Sequence, residues 1–160
     1  MRTLLQLAAY AALIAMWCVT AYFVAGPHPL PGRIPTHFDL AGKPNAWGTP
    51  GMLWLLPIVA TVIIGLMTLV ARHPGAFNYP VRVSPLTRPR LERITLGMIG
   101  WLQLEIAGMF LWIQYATIES AHAARNGLSP VFVPIALVVV IGTAAVHIRA
   151  MFAAARSKAS

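Results

Sequence analysis

Residues Met52–Ala71 read MLWLLPIVATVIIGLMTLVA, carry no charge, and stop at Arg72-His73-Pro74. Wound as an α-helix at about 1.5 Å per residue, such a run matches a hydrocarbon core about 30 Å thick. Reading it as a bilayer span decides the fold, because the chain repeats the pattern on both sides. Leu4–Ala25 and Val131–Ile148 contain no Lys, Arg, Asp or Glu, and Ile94–Ile118 contains only Glu105. Of the 160 residues, 58% are hydrophobic and 10% charged, with a mean hydropathy of +0.70; a soluble domain has about a quarter of its residues charged. The sequence therefore predicts an all-α polytopic protein, a bundle of four transmembrane helices over about 4–25, 52–71, 88–118 and 131–152. These form one membrane domain over 1–160. Leu4–Ala25 is read as a span and not as a cleaved leader, since it is longer than a usual signal-peptide core.

Working outward from the second span, charge sets the expected orientation. One side of the membrane holds Arg2, then Arg72, Arg82, Arg88, Arg90 and Arg93, then Arg149, Arg156 and Lys158. The other side holds only Arg33, Lys43 and Arg125. The positive-inside bias predicts both termini in the cytoplasm, N-in and C-in, in a cell inner (plasma) membrane. The formal net charge of +8 reflects few acids. Arginines spread along the span borders fit anionic lipids, and the absence of a dense basic face excludes nucleic acid as a partner. Cys18 is the sole cysteine, so an internal disulfide is excluded.

Within the spans, three features stand out. Ala8, Ala12 and Ala15 share one face of the first span and predict close approach of another helix. Thr87 followed by Pro89 predicts a start for the third helix near Arg88, a turn or two outside the bilayer. The third span carries Gln103, Glu105 and Gln114, and Gly97, Trp101, Glu105, Gly108 and Trp112 recur at helical spacing. An acid at mid-membrane is costly and faces the bundle interior or a wet cavity. The expected partner of Glu105 is Gln103 or a hydroxyl such as Thr20, Thr61 or Thr143.

The connection before Met52 is PHPLPGRIPTHFDLAGKPNAWGTP, Pro27–Pro50. It contains His28, His37 and the sole aspartate, Asp39, and the predicted topology places it on the outer side with Glu119 and His122. Imidazole and carboxylate are suitable ligands for zinc or another divalent metal. A candidate set is His37 and Asp39 completed by His28, His122 or Glu119. The competing reading is a solvated Pro/Gly loop whose short polar side chains cap turns. His73 and His147 fall at the opposite boundary. No nucleophile elbow, P-loop, dinucleotide fingerprint, HExxH or CxxCH occurs in the chain.

Two elements of this connection carry a resemblance. Leu30–Asp39, with Leu-Pro and Ile-Pro-Thr-His-Phe-Asp, and Gly42–Gly48, with Gly-Lys-Pro-Asn-Ala-Trp-Gly, resemble the pattern of the DUF1648 family. These are small prokaryotic integral membrane proteins of unknown function. The resembling region covers about 15–63, and the family motif falls on Pro35, His37, Phe38, Asp39, Gly42, Asn45 and Trp47. Asp39 stands where many members have Asn, and Asn45 where Asp is common. Phe77-Asn78-Tyr79-Pro80 resembles a second family stretch. The same domain occurs at the amino terminus of the longer SdpI-type immunity proteins, which protect bacteria from a secreted peptide toxin.

Three function classes follow. The first is a binding, sensing or immunity-like module that recognises a peptide, a membrane protein or lipid through the 27–50 connection. The second is a structural subunit of a larger membrane complex. The third is a membrane enzyme or transporter using Glu105 with outer His and Asp residues. No catalytic residue is assigned, and the reading leans away from an enzyme.

Overall fold

The computed structural model describes residues 2–27, 29–122 and 127–156. Among them, four helices are long and apolar enough to cross a membrane. They are α1 (Arg2–Ala25), α2 (Leu55–Ala71), α3 (Arg88–Ala121) and α4 (Phe132–Arg156). The molecule is a multi-pass membrane protein. A 3-10 turn at Pro50–Trp54 leads into α2, and Pro57 is buried in the first turns of that helix. At that position the missing backbone donor is one a helix leaves unpaired in any case.

Helix α3 is the centre of the bundle. At 34 residues it is about 50 Å long, well beyond the bilayer core, and it packs against α1, α2 and α4. Its start lies where the sequence predicts, at Arg88, but the cap is built differently. Thr87 is in helical conformation and makes no side-chain cap bond to the helix. Its hydroxyl instead receives Ser84 N–H at 3.0 Å, while Ser84 C=O accepts Arg88 N–H at 3.0 Å, so Ser84 opens the turn. The first turn projects from the span and carries the exposed ion pair Arg88–Glu92, 3.1 Å. Phe77–Val81 folds back on the start of α3 and the end of α4, where Tyr79 and Val81 cover Leu91, Met151 and Ala154. Burial there, helped by nearby Glu92, raises the Tyr79 phenol above its ordinary 10.0.

The face of α1 that meets its neighbours differs from the expected alanine stripe. Ala8 is exposed and Ala12 and Ala15 are half-buried; Leu5, Ala9, Met16 and Thr20 form the buried line. Ala9 packs without exposure against Ile64 of α2 and Ala107 of α3. The stripe is displaced by one residue because two partners, not one, approach α1. In the C-terminal half of α1, Trp17 lies 5.6 Å from Trp54, and its Nε1–H donates to Thr61 Oγ1 at 3.0 Å.

The all-α expectation needs one correction, and it falls in the connection before α2. Strands β1 (Ile34–Phe38) and β2 (Pro44–Gly48) form an antiparallel hairpin. Pro35 stands opposite Trp47 and Pro44 opposite Phe38, with register irregularities around His37. Prolines argue against central strands, but both strands of a two-stranded sheet are edges. The reversal is set by Asp39 and Gly42. Asp39 C=O accepts Gly42 N–H at 2.8 Å, and Asp39 Oδ1 accepts Lys43 N–H at 2.8 Å. Gly42 takes φ +77°, open to glycine at little cost.

The hairpin tip is fastened to the α3–α4 connection. Leu128 N–H donates to Gly42 C=O at 2.8 Å, and Gly127, φ +98°, lies against the same carbonyl. A Cβ on Gly42 would collide with the Leu128 carbonyl. Gly42→Ala therefore combines a left-handed backbone penalty of about 1–2 kcal/mol with loss of this junction. We expect a lower temperature for loss of the monodisperse peak when detergent-solubilised protein is heated. Gly32→Ala, where nothing lies near an added Cβ, should change that temperature little.

Candidate functional site

The 27–50 connection divides into anchors and presented groups. Leu30 and Ile34 are buried with Leu53 and Ile118, and Val19, Phe23 and Leu56 close around them. Leu30 N–H also donates to Phe23 C=O at 3.1 Å. Pro35 is buried, Phe38 half-buried, and a small cavity of about 70 Å³ remains where they meet Leu53, Ile113 and Thr117. Anchored this way, the hairpin sits on the C-terminal ends of α1 and α3.

The presented groups are Arg33, His37, Asn45 and Trp47, all exposed. The Arg33 guanidinium lies 5.9 Å from the centre of the Trp47 ring, within cation–π range. His37 Nδ1 and Asn45 Oδ1 are 2.6 Å apart across the strands; since the amide oxygen can only accept, Nδ1–H is the donor and Nε2 is left as an acceptor. Of the seven motif residues, Pro35, Phe38, Asp39 and Gly42 thus build the hairpin, and His37, Asn45 and Trp47 are displayed on it.

The candidate metal ligands are placed separately. Asp39 is engaged in the turn through Lys43 N–H. His122 Nδ1–H donates to Ile118 C=O at 3.0 Å, beside the Phe23 ring. Glu119 lies on the wall of a groove with Val19, Phe23 and Tyr115. Among the described residues no three His, Cys, Asp or Glu side chains gather as a metal site. His28 lies outside the described residues.

Inside the bundle, the polar residues of α3 point to three different helices. Gln103 is fully buried and donates through Nε2 to Ile64 C=O at 3.2 Å and Thr68 Oγ1 at 2.8 Å on α2. Its Oε1 accepts from Gln6 Nε2 of α1 at 3.4 Å. Gln114 donates to Met16 C=O at 3.0 Å and Thr20 Oγ1 at 2.9 Å, both on α1. Glu105 faces α4, where Thr143 Oγ1–H donates to its Oε1 at 2.5 Å. Of the expected partners, Thr143 is the one found. Gln103 is not a partner because residues two apart on a helix point about 200° from one another. The Gly97–Trp112 face does turn to α4: Trp112 stacks with Phe132 at 6.3 Å, and Gly97 lies beneath the His147 ring.

Residues 11–61 match the model of a domain of unknown function, DUF1648. That range holds most of α1, the whole hairpin and the start of α2. An uncharacterized protein of Archaeoglobus fulgidus is 28% identical over 143 residues, covering 81% of this chain and 76% of its own length. No solved structure gives a significant match.

The division into anchors and presented groups has a direct consequence for stability. Ile34→Ala empties a fully buried site and should destabilise by about 2–5 kcal/mol. His37→Ala removes one exposed hydrogen bond and should cost at most about 1 kcal/mol. Denaturation midpoints of the two variants in the same detergent check the difference.

Proposed function

We propose that this is a membrane-embedded recognition protein whose 27–50 connection is the binding element. The observation that carries the reading is a hairpin that leaves Arg33, His37, Asn45 and Trp47 exposed while burying its aliphatic anchors. An exposed aromatic held beside an arginine is the composition of a binding hot spot, where Trp and Arg are enriched. The hairpin is fastened at its base to α1 and α3 and at its tip to Leu128, so little ordering cost would accompany binding. The ligand class is a peptide or another membrane protein at the bilayer surface; a secreted peptide is the immunity-like form of the reading. The charge distribution supports an orientation with both termini in the cytoplasm and the hairpin outside.

Two measurements test this. In a Cys18→Ser background, a cysteine at Asn45 should react with a membrane-impermeant maleimide in intact cells. One at Asn78 should react only after permeabilisation, and the reverse pattern overturns the orientation. A photo-crosslinking residue at Trp47 should capture a discrete peptide or protein in native membranes. The same residue at lipid-exposed Val138 should give lipid adducts, and adducts to lipid alone from both positions would sink the recognition reading.

A further inference from the structure

The seam between α3 and α4 holds an acid that the hairpin does not use. Glu105 lies at the middle of α3, and Thr143 meets its Oε1 from the middle of α4. Its other carboxyl oxygen, Oε2, is buried and has no hydrogen-bond partner. A buried carboxyl oxygen left unpaired in apolar surroundings is expensive, and membrane-embedded acids are retained for an interaction.

What surrounds the Glu105 side chain limits the interaction. Two clefts, of about 220 Å³ and about 400 Å³, lie along the seam, and both are lined by Glu105 and Val139. Their walls are otherwise mostly apolar, with Trp101 and His147 in the larger one. Together they fall in the size range of small-molecule sites, about 300–1,000 Å³. A bare inorganic cation would need about six oxygen ligands, and the linings supply little beyond the carboxyl and the Thr143 hydroxyl. An anion meets a carboxyl. An uncharged acyl chain brings no counter-charge to the carboxyl. His147 is the other titratable side chain on these walls, and its Nδ1–H is committed to Thr143 C=O at 2.8 Å.

We propose that the α3–α4 seam binds a lipophilic organic cation, with Glu105 as its counter-ion. The apolar body of the ligand occupies the clefts beside Val139. The cationic centre sits between the Glu105 carboxyl and the Trp101 ring, which adds a cation–π contact. Thr143 is a positioning residue: by holding Oε1 it fixes the carboxyl beside the clefts. This site shares no residue with the hairpin and stands apart from the function proposed above.

Binding of radiolabelled tetraphenylphosphonium to the full chain in detergent tests the site. The expected result is saturable binding that dodecylammonium displaces and dodecanol does not. Glu105→Gln keeps the shape and the Thr143 bond but removes the charge, and should weaken binding about tenfold or more. Val139→Trp fills both clefts without altering the carboxyl and should do the same, while Leu86→Ala on the exposed inner connection should leave binding unchanged. If Glu105→Gln fails to fold, Val139→Trp decides alone. The proposal is overturned if wild-type binding does not saturate, if dodecanol competes as well as dodecylammonium, or if folded Glu105→Gln binds like wild type.

Discussion

Inside a bilayer a polar side chain has no water to fall back on, and Gln103, Gln114 and Glu105 of α3 each bond to another helix. These bonds arrange the bundle. Gln103 reaches α2 and accepts from α1, Gln114 reaches α1, and Glu105 is met by α4. Apolar packing alone would leave the helices free to rotate, since lipid tails solvate Leu and Val as well as protein does. A misrotated α3 would strand an amide or a carboxyl in hydrocarbon. Each such bond contributes only about 0.6 kcal/mol on average, so their chief effect is on which face meets which neighbour. Thr68 shows how tightly these needs are combined: its hydroxyl donates to Ile64 C=O and takes bonds from Tyr10 and Gln103.

The same central helix supports the hairpin. Because α3 continues to Ala121, its last turns rise beside the end of α1 and bring Ile118 to the anchors of the hairpin. The connection from α3 to α4 then passes close enough for Leu128 and Gly127 to contact Gly42. A two-stranded ribbon is marginal by itself. Here it is stabilised by burial of Leu30 and Ile34 beneath it and by the junction at its tip. The exposed residues of the motif can then be chosen for what they meet, since the buried ones already hold the shape.

Much of this was legible in the sequence, and the remainder was hidden for physical reasons. Four uncharged or nearly uncharged runs of bilayer length predict four helices, and Arg88 as the start of α3 follows from the prolines before it. Thr143 is one of four partners the sequence offers Glu105, and the packing of α4 on α3 selects it. The hairpin was obscured by Pro35 and Pro44, which lower strand propensity, although Asp39 followed three residues later by Gly42 is a turn signal between short runs. Ala9, not Ala8, faces the bundle because the contact face depends on where two neighbours stand, which helical spacing alone does not encode. The approach of Gly127 to Gly42 joins residues 85 positions apart with no shared pattern. Gln103 and Glu105, adjacent in a list of polar residues, serve different helices because helix geometry turns them away from each other.

Helix α4 differs from the others in how it is held. It packs chiefly on α3, and much of its surface, including Leu137, Val138 and Ile141, stays exposed to lipid. Contacts along that seam include Thr143 with Glu105, Trp112 with Phe132, His147 with Gly97, and the Leu91–Met151–Ala154 cluster near the start of α3. The beginning of α4 is joined through a few residues to Leu128, which is bonded to the hairpin tip. The start of α4 thus stands a few residues from the junction that holds the hairpin tip, where Gly42 and Gly127 let the two backbones meet without side chains between them.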